Sequence, residues 1–479
     1  MATVFNTAWR VIRSLNVEFA EVLLWVSYAL FVSQEPTALE RKFATLHQEE
    51  IEGFQGDQEK TQALLQDQLS AYLSYKAIIG QALAIFLIPI VGSLSDRWGS
   101  KPLLVAGMAG WFFSNYTKAL FLSFTLQLGV AFAYISNAPF HAIYRATAYV
   151  VISAYQTQDC RRNGKEDILY PRFVLIQVLD NIAVIASNTL SSQQELLLLV
   201  QIAAAIGVFF VIFVLPHIPP EKNDTGKETG KNTRERASIL TRFAQLIVSA
   251  GQAMKEAFHT ILRPRFGYQR FALIAMIVVG ALLQNIDRQE EQLLQAYTLR
   301  EPLDWSAREY GFYLNFNQIA SAVGSLLGAI LFRRILRLRY TTIVLLGVLA
   351  SAASAIIVAV ATQTWHVYAK TVFDSISFAA IPAYFKTLSK LVDGPETGRV
   401  FALGALSVSL SAILQQYGLV TVYRATQTRL PYLVWIVLAA LCILAGCLAV
   451  AVHVALSVTD KLKKAKKMEN GNEVEMKSH

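Results

Sequence analysis

Apolar runs of roughly twenty residues recur along this chain, and no other feature limits its fold as much. A helix rises about 1.5 Å per residue, so each run can cross the ~30 Å hydrocarbon core of a bilayer. A backbone in lipid has no water to bond, and a helix satisfies its amide groups within one segment. The runs fall at 17–34, 71–95, 102–123, 126–152, 172–192, 195–216, 270–290, 309–333, 341–361, 365–388, 399–421 and 431–456. The expected class is therefore all-α, a polytopic membrane protein of about twelve transmembrane helices. Composition agrees. The chain is 54% hydrophobic and 16% charged, where a soluble protein carries about 25% charged residues.

Lysine and arginine set the orientation. With the N-terminus inside, the inner segments hold Arg97 and Lys101, then Arg161, Arg162 and Lys165, then Arg333, Arg334, Arg337 and Arg339, then Lys390. The tail adds KLKKAKK. The outer connections at 123–126, 192–195 and 361–365 carry neither residue type, and the outer segment 35–70 is net acidic. Both termini are expected inside. This asymmetry accounts for the net charge of +9 without nucleic acid, and the inner basic clusters attract anionic membrane lipid. The three cysteines show no metal-ligand or disulfide spacing. Cys160 is expected in a charged loop.

The chain divides near its middle. PHIPPEKNDTGKETGKNTRER (216–236) reads as a flexible linker. The following segment, 238–262, has helical apolar spacing. It fits a helix on the membrane surface or one packed beneath the bundle. The organisation is an N-terminal six-helix bundle (1–216), a cytoplasmic linker (217–269), a C-terminal six-helix bundle (270–456) and a basic cytoplasmic tail (457–479). Two parallel six-span halves are the plan of the major facilitator fold.

One turn stands out between the second and third spans, VGSLSDRWGSKPLL. Its Gly92, Asp96, Arg97, Gly99 and Lys101 resemble the loop signature G-x-x-x-D-R-x-G-x-K of the major facilitator superfamily. There the glycines permit a tight turn, and the charges form a conformational latch that breaks in each transport cycle. Four stretches resemble the solute carrier 46 family, the group of the proton-coupled folate transporter. They are NVEFAEVLLWVSYALF (16–31), GSLSDRWGSKPLL (92–104), EPLDWSAREYGFY (301–313) and KTLSKLVDGPETGRVFAL (386–403). The last supplies Glu396 and Arg399 as further latch residues. The resemblance implies a transporter of organic solutes such as folates, steroid or bile-acid conjugates or peptidoglycan fragments, at the plasma membrane or the lysosome. The family's fifth-span glutamate is replaced by Gln177, with Asp180 the nearest acid. Its seventh-span histidine falls on Asp287 and its tenth-span arginine on Phe385, so folate handling does not carry over.

Charged side chains at membrane depth cost about 3 kcal/mol on insertion scales and tend to mark pathways. In the fourth span Asn137, His141 and Arg145 lie at i, i+4 and i+8, one face of a helix. Arg145 suits a carboxylate or phosphate, and His141 is of the one residue type whose ordinary charge change falls near neutral pH. Gln177 and Asp180 follow in the fifth span, where Asp180 can pair with Arg145 or take a transported proton. Asn315 and Gln318 in the eighth, Lys370 and Asp374 in the tenth and Gln415 in the eleventh complete the candidate substrate-binding set. Amides of this kind also simply join helices, and Lys370 with Asp374 can be a self-neutralising pair. No nucleophile elbow, phosphate loop, metal cluster or nucleotide motif is present. The expected function is secondary transport of a small organic, anionic solute by alternating access, with protons as possible partners and no cofactor. The other reading is a transporter-shaped receptor or scaffold. No strong lysosomal address is seen, which favours the plasma membrane. Tyr170-Pro-Arg-Phe173 has a sorting-like form at the edge of a span.

Overall fold

The computed structural model describes residues 16–53, 58–122, 130–190, 196–219, 251–252, 255–298, 303–426 and 429–478. Residues 220–250 of the linker, and with them most of the amphipathic segment, lie outside the described residues. Residues 255–262 are helical. The helices are α1 (Asn16–Leu46), α2 (Gln48–Gly53), α3 (Gln58–Trp98), α4 (Ser100–Leu122), α5 (Val130–Arg162), α6 (Leu169–Leu190) and α7 (Leu196–Phe213). They continue as α8 (Gln269–Thr298), α9 (Ala307–Gly328), α10 (Tyr340–Ala359), α11 (Thr364–Phe378), α12 (Ala380–Lys390), α13 (Thr397–Thr426) and α14 (Leu433–Ser478). No strand occurs among the described residues. Each of the expected apolar spans falls on a helix or a pair of helices. Six helices among the described residues are long and apolar enough to cross a membrane.

The chain forms two compact units, Met1–Gly164 with Leu179–Ala253, and Lys165–Val178 with Met254–His479. In unit 1, α4 packs on α5 and α7, α3 on α5, and α1 on α7. The segment 35–70, expected as an outer loop, is largely the end of α1 and the start of α3. Helix α3 has 41 residues, about 60 Å of helix, far more than a bilayer core requires. Two causes act together. TQALLQDQLSAYL is rich in good helix formers, and the extensions share an apolar core of Leu39, Phe43, Leu65, Tyr72, Phe121 and Leu122. Helix α5 also outruns its span, so Cys160 is buried in a helix rather than placed in a loop. Its last turns are fastened by polar bonds, Gln156 Nε2 to Glu18 Oε1 at 3.3 Å and Asn163 Nδ2 to Asp159 Oδ1 at 3.0 Å.

In unit 2, α10 packs on α14, α11 and α12, α8 on α13 and α14, and α9 on α11. Helix α9 starts with a capping box in which Ser306 and Glu309 exchange bonds, filling the open amides of the first turn. It ends in a π turn over Ala329–Ile335. The tenth span is two helices, parted at Ala379. Pro382 has no amide hydrogen and cannot continue the ladder across the break. Helices α9 and α11 approach so closely that a Cβ at Gly324 would lie 2.2 Å from the Ser375 carbonyl oxygen. Backbone cannot yield as a side chain does. Gly324→Ala is expected to cost roughly 1–3 kcal/mol, read as a lower unfolding midpoint of the purified protein in detergent. An unchanged midpoint would show that the two helices part freely.

Candidate functional site

In unit 1 the polar residues of α5 do not share one face in practice. Steps of four residues drift by about 40° around a helix, and neighbours on two sides take up the drift. Asn137 is buried toward α4, where its Nδ2 donates to Ser114 O at 2.7 Å and Ser114 Oγ at 2.9 Å. His141 is buried toward α3, its ring filling the space that Gly80 leaves open. Arg145 is partly buried and makes no ion pair or hydrogen bond among the described residues. The pairing considered for Asp180 with Arg145 does not form. Asp180 instead interacts with the Glu21 carboxylate of α1, and its Oδ1 is buried without a hydrogen bond. Gln177, on the stretch of α6 that belongs to unit 2, is partly buried. Glu21 was not singled out by sequence, because a carboxylate early in an apolar run reads as a span end.

In unit 2 Lys370 and Asp374 do meet. Nζ lies 2.5 Å from Oδ2 on α11, and Ser354 Oγ of α10 donates to Asp374 Oδ1 at 2.5 Å. Lys370 is 2% exposed, and its ammonium stands 5.8 Å from the Tyr313 ring. Tyr313 packs against Trp305, Tyr310 and Tyr368. The pair is thus neutralised and walled by aromatic rings. Ser354 and Tyr313 could be found only through folding, since neither is near Lys370 in the sequence. Asn315 and Gln318 are partly buried on α9. Gln415 is buried on α13 and donates to Ser411 Oγ at 2.8 Å, with its Oε1 lacking a hydrogen bond. The side chains of Asp287, Arg288 and Gln416 lie outside the described residues.

The turn after α3 is built as its sequence suggests. Gly99 has φ of 82°, and a Cβ there would meet the Ile218 carbonyl oxygen at 2.5 Å. Only glycine serves both demands. Ser100 bonds Ser95 at 2.9 Å and Gln158 at 3.0 Å. Lys101 Nζ donates to Ile212 O at 3.0 Å, meeting the carbonyls at the end of α7 as a cation should. Gly92 is buried, Asp96 partly buried and Arg97 exposed. Glu396 is held between Arg263 at 2.6 Å and Arg265 at 2.8 Å, and Asp393 also bonds Arg263 at 2.9 Å. Arg399 lies 4.0 Å from Glu256. These two proposed latch residues therefore engage the segment leading into α8.

The Major Facilitator Superfamily profile matches residues 182–416. Solute carrier family 46 member 2 of the dog is 23% identical over 161 residues, 33% of either chain. The matched stretch thus spans about a third of that relative's length. The "Probable peptidoglycan muropeptide transporter SLC46" of Drosophila melanogaster is 18% identical over 356 residues, 71% of this chain and 64% of that one. Among solved structures, a bacterial homologue of the iron transporter ferroportin aligns with a TM-score of 0.65 at 14% identity, covering 92% of this chain and 99% of its own. The human organic anion transporter MFSD10 aligns with a TM-score of 0.62 at 15% identity and the same coverage. The fold is that of the major facilitator superfamily. Within it, the sequence resembles the solute carrier 46 family.

Proposed function

We propose that this multi-pass membrane protein is a secondary transporter, not an enzyme, moving a small anionic organic solute by alternating access. Arg145 carries the reading. A guanidinium on a membrane helix, partly buried and with no carboxylate on it among the described residues, is an expensive group to retain unless an anion answers it. The Drosophila relative's name suggests a first probe, because muropeptides carry carboxylates. Gln177, Asn315, Gln318 and Gln415, all on unit 2, are the further residues proposed to bind solute. Protons are the proposed coupling ion, through His141 and Asp180, the latter facing Glu21. The plasma membrane is the proposed site of action. Tyr170 of the sorting-like Tyr-Pro-Arg-Phe sequence is buried, where an adaptor cannot read it.

The test is uptake into proteoliposomes of a panel of anionic and neutral solutes, at pH near 5.5 and 7.5 to bracket the histidine range. Wild type is expected to take up an anion faster at the lower pH. Arg145→Gln should lose at least tenfold of that uptake, the scale of one charge-assisted contact, while neutral solutes stay excluded. Asp180→Asn should flatten the pH dependence. Full uptake by Arg145→Gln would remove the anion site. Failure of every solute to move, with a protein partner still bound, would favour the scaffold.

A further inference from the structure

We propose that the end of unit 2 carrying the π turn and the start of the tail is a docking surface for anionic phospholipid headgroups. Helix α14 does not stop where its apolar part ends but runs on through Lys461, Lys463, Lys464 and Lys466, all exposed. These lie about 8–15 Å past Leu456 along the helix, at and just beyond the outer edge of a headgroup layer about 5–8 Å deep. Two further segments are pinned beside them. Arg339 Nη1 donates to Ser457 Oγ at 2.7 Å, which brings the 334–339 turn onto one face of α14. Ser457, Lys461 and Lys464 share that face at i, i+4 and i+7. Tyr268 N–H donates to Thr459 Oγ1 at 3.1 Å, and Lys466 Nζ lies 5.8 Å from the Phe266 ring. Thr459, Lys463 and Lys466 share that second face.

Among the described residues the charge on this surface is unanswered. Arg263, Arg265 and Arg399, on the same unit, each face a carboxylate. By contrast Arg334, Arg337, Arg339 and the four lysines make no ion pair among the described residues. Asp460 is the exposed acid in their midst. Beside them Ile335 is 63% and Leu336 54% exposed, an apolar rim at the level where acyl chains begin. A basic cluster directly after a membrane span, with greasy side chains at its edge, matches an anionic lipid better than a soluble anion. This inference does not depend on transport.

The experiment uses the purified full chain in neutral detergent, titrated with dioctanoyl phosphatidylserine or dioctanoyl phosphatidylcholine and read by thermophoresis. Phosphatidylserine is expected to bind at least roughly tenfold tighter, and more weakly as salt rises. The variant K461Q/K463Q/K464Q/K466Q should lose roughly tenfold or more of that preference. R334Q/R337Q, two exposed changes at and just after the π turn, should weaken it by a smaller factor and serves if the quadruple variant is unstable. Equal binding of the two lipids overturns the proposal, as does full preference retained in both variants. Complete displacement of the lipid by an equal concentration of inorganic phosphate also overturns it, since the surface would then be a small-anion site.

Discussion

Replacing Asp374 by leucine leaves the Lys370 ammonium in a site closed to water, and the variant protein is expected to unfold at a far lower temperature than wild type. The carboxylate is its ion-pair partner at 2.5 Å and is itself held by Ser354. A ring contact with Tyr313 replaces little of this. Breaking one side of a buried pair costs about 3–5 kcal/mol, while replacing both sides with apolar groups of similar volume is often neutral or stabilising. The double variant K370M/D374L is therefore expected to recover most of the lost stability. Thermal unfolding and monodispersity in detergent read both outcomes. A D374L protein as stable as wild type would mean that water reaches Lys370. The double variant also separates structure from function. If it folds but moves no solute, the pair belongs to the candidate substrate-binding set.

The second large effect is expected at Asp96. This carboxylate is partly buried at the end of α3, on a turn braced by the Gly99 conformation and by Lys101 on the carbonyl of Ile212. The latch proposed for it stabilises one conformational state and releases in the other. Asp96→Asn keeps the shape but removes the charge, weakening the contact by about 1–3 kcal/mol. Each 1.4 kcal/mol shifts a balanced equilibrium about tenfold, so uptake should fall steeply. Solute binding, measured separately on the purified protein, should fall less. Unchanged uptake with normal folding would sink the latch. Glu396 and Arg399 provide an internal comparison. Their partners Arg263, Arg265 and Glu256 lie on the same unit, so Glu396→Gln should lower stability more than it changes uptake.

The chain's own order of residues determined a good deal. Apolar run length must match bilayer thickness, so the spans were legible one by one, and so was the all-α class. The turn after α3 was legible because glycine at positive φ is a local demand, whereas the bond of Lys101 to the Ile212 carbonyl on α7 joins distant segments and was not. Helix ends outside the lipid were not legible. Whether residues 35–70 or 156–163 form loops or helix depends on Tyr72 meeting Phe43 and Phe121 and on Gln156 meeting Glu18, contacts between segments far apart in sequence. The polar candidates divide in the same way. Lys370 and Asp374 are one turn apart on one helix, so their pairing is local and could be read directly. The directions taken by Asn137 and His141 depend on which neighbours stand on either side of α5. The company of Asp180 depends on α1, which brings Glu21 to it rather than Arg145. Sequence periodicity assigns a residue to a face of its helix, but only packing decides what that face meets.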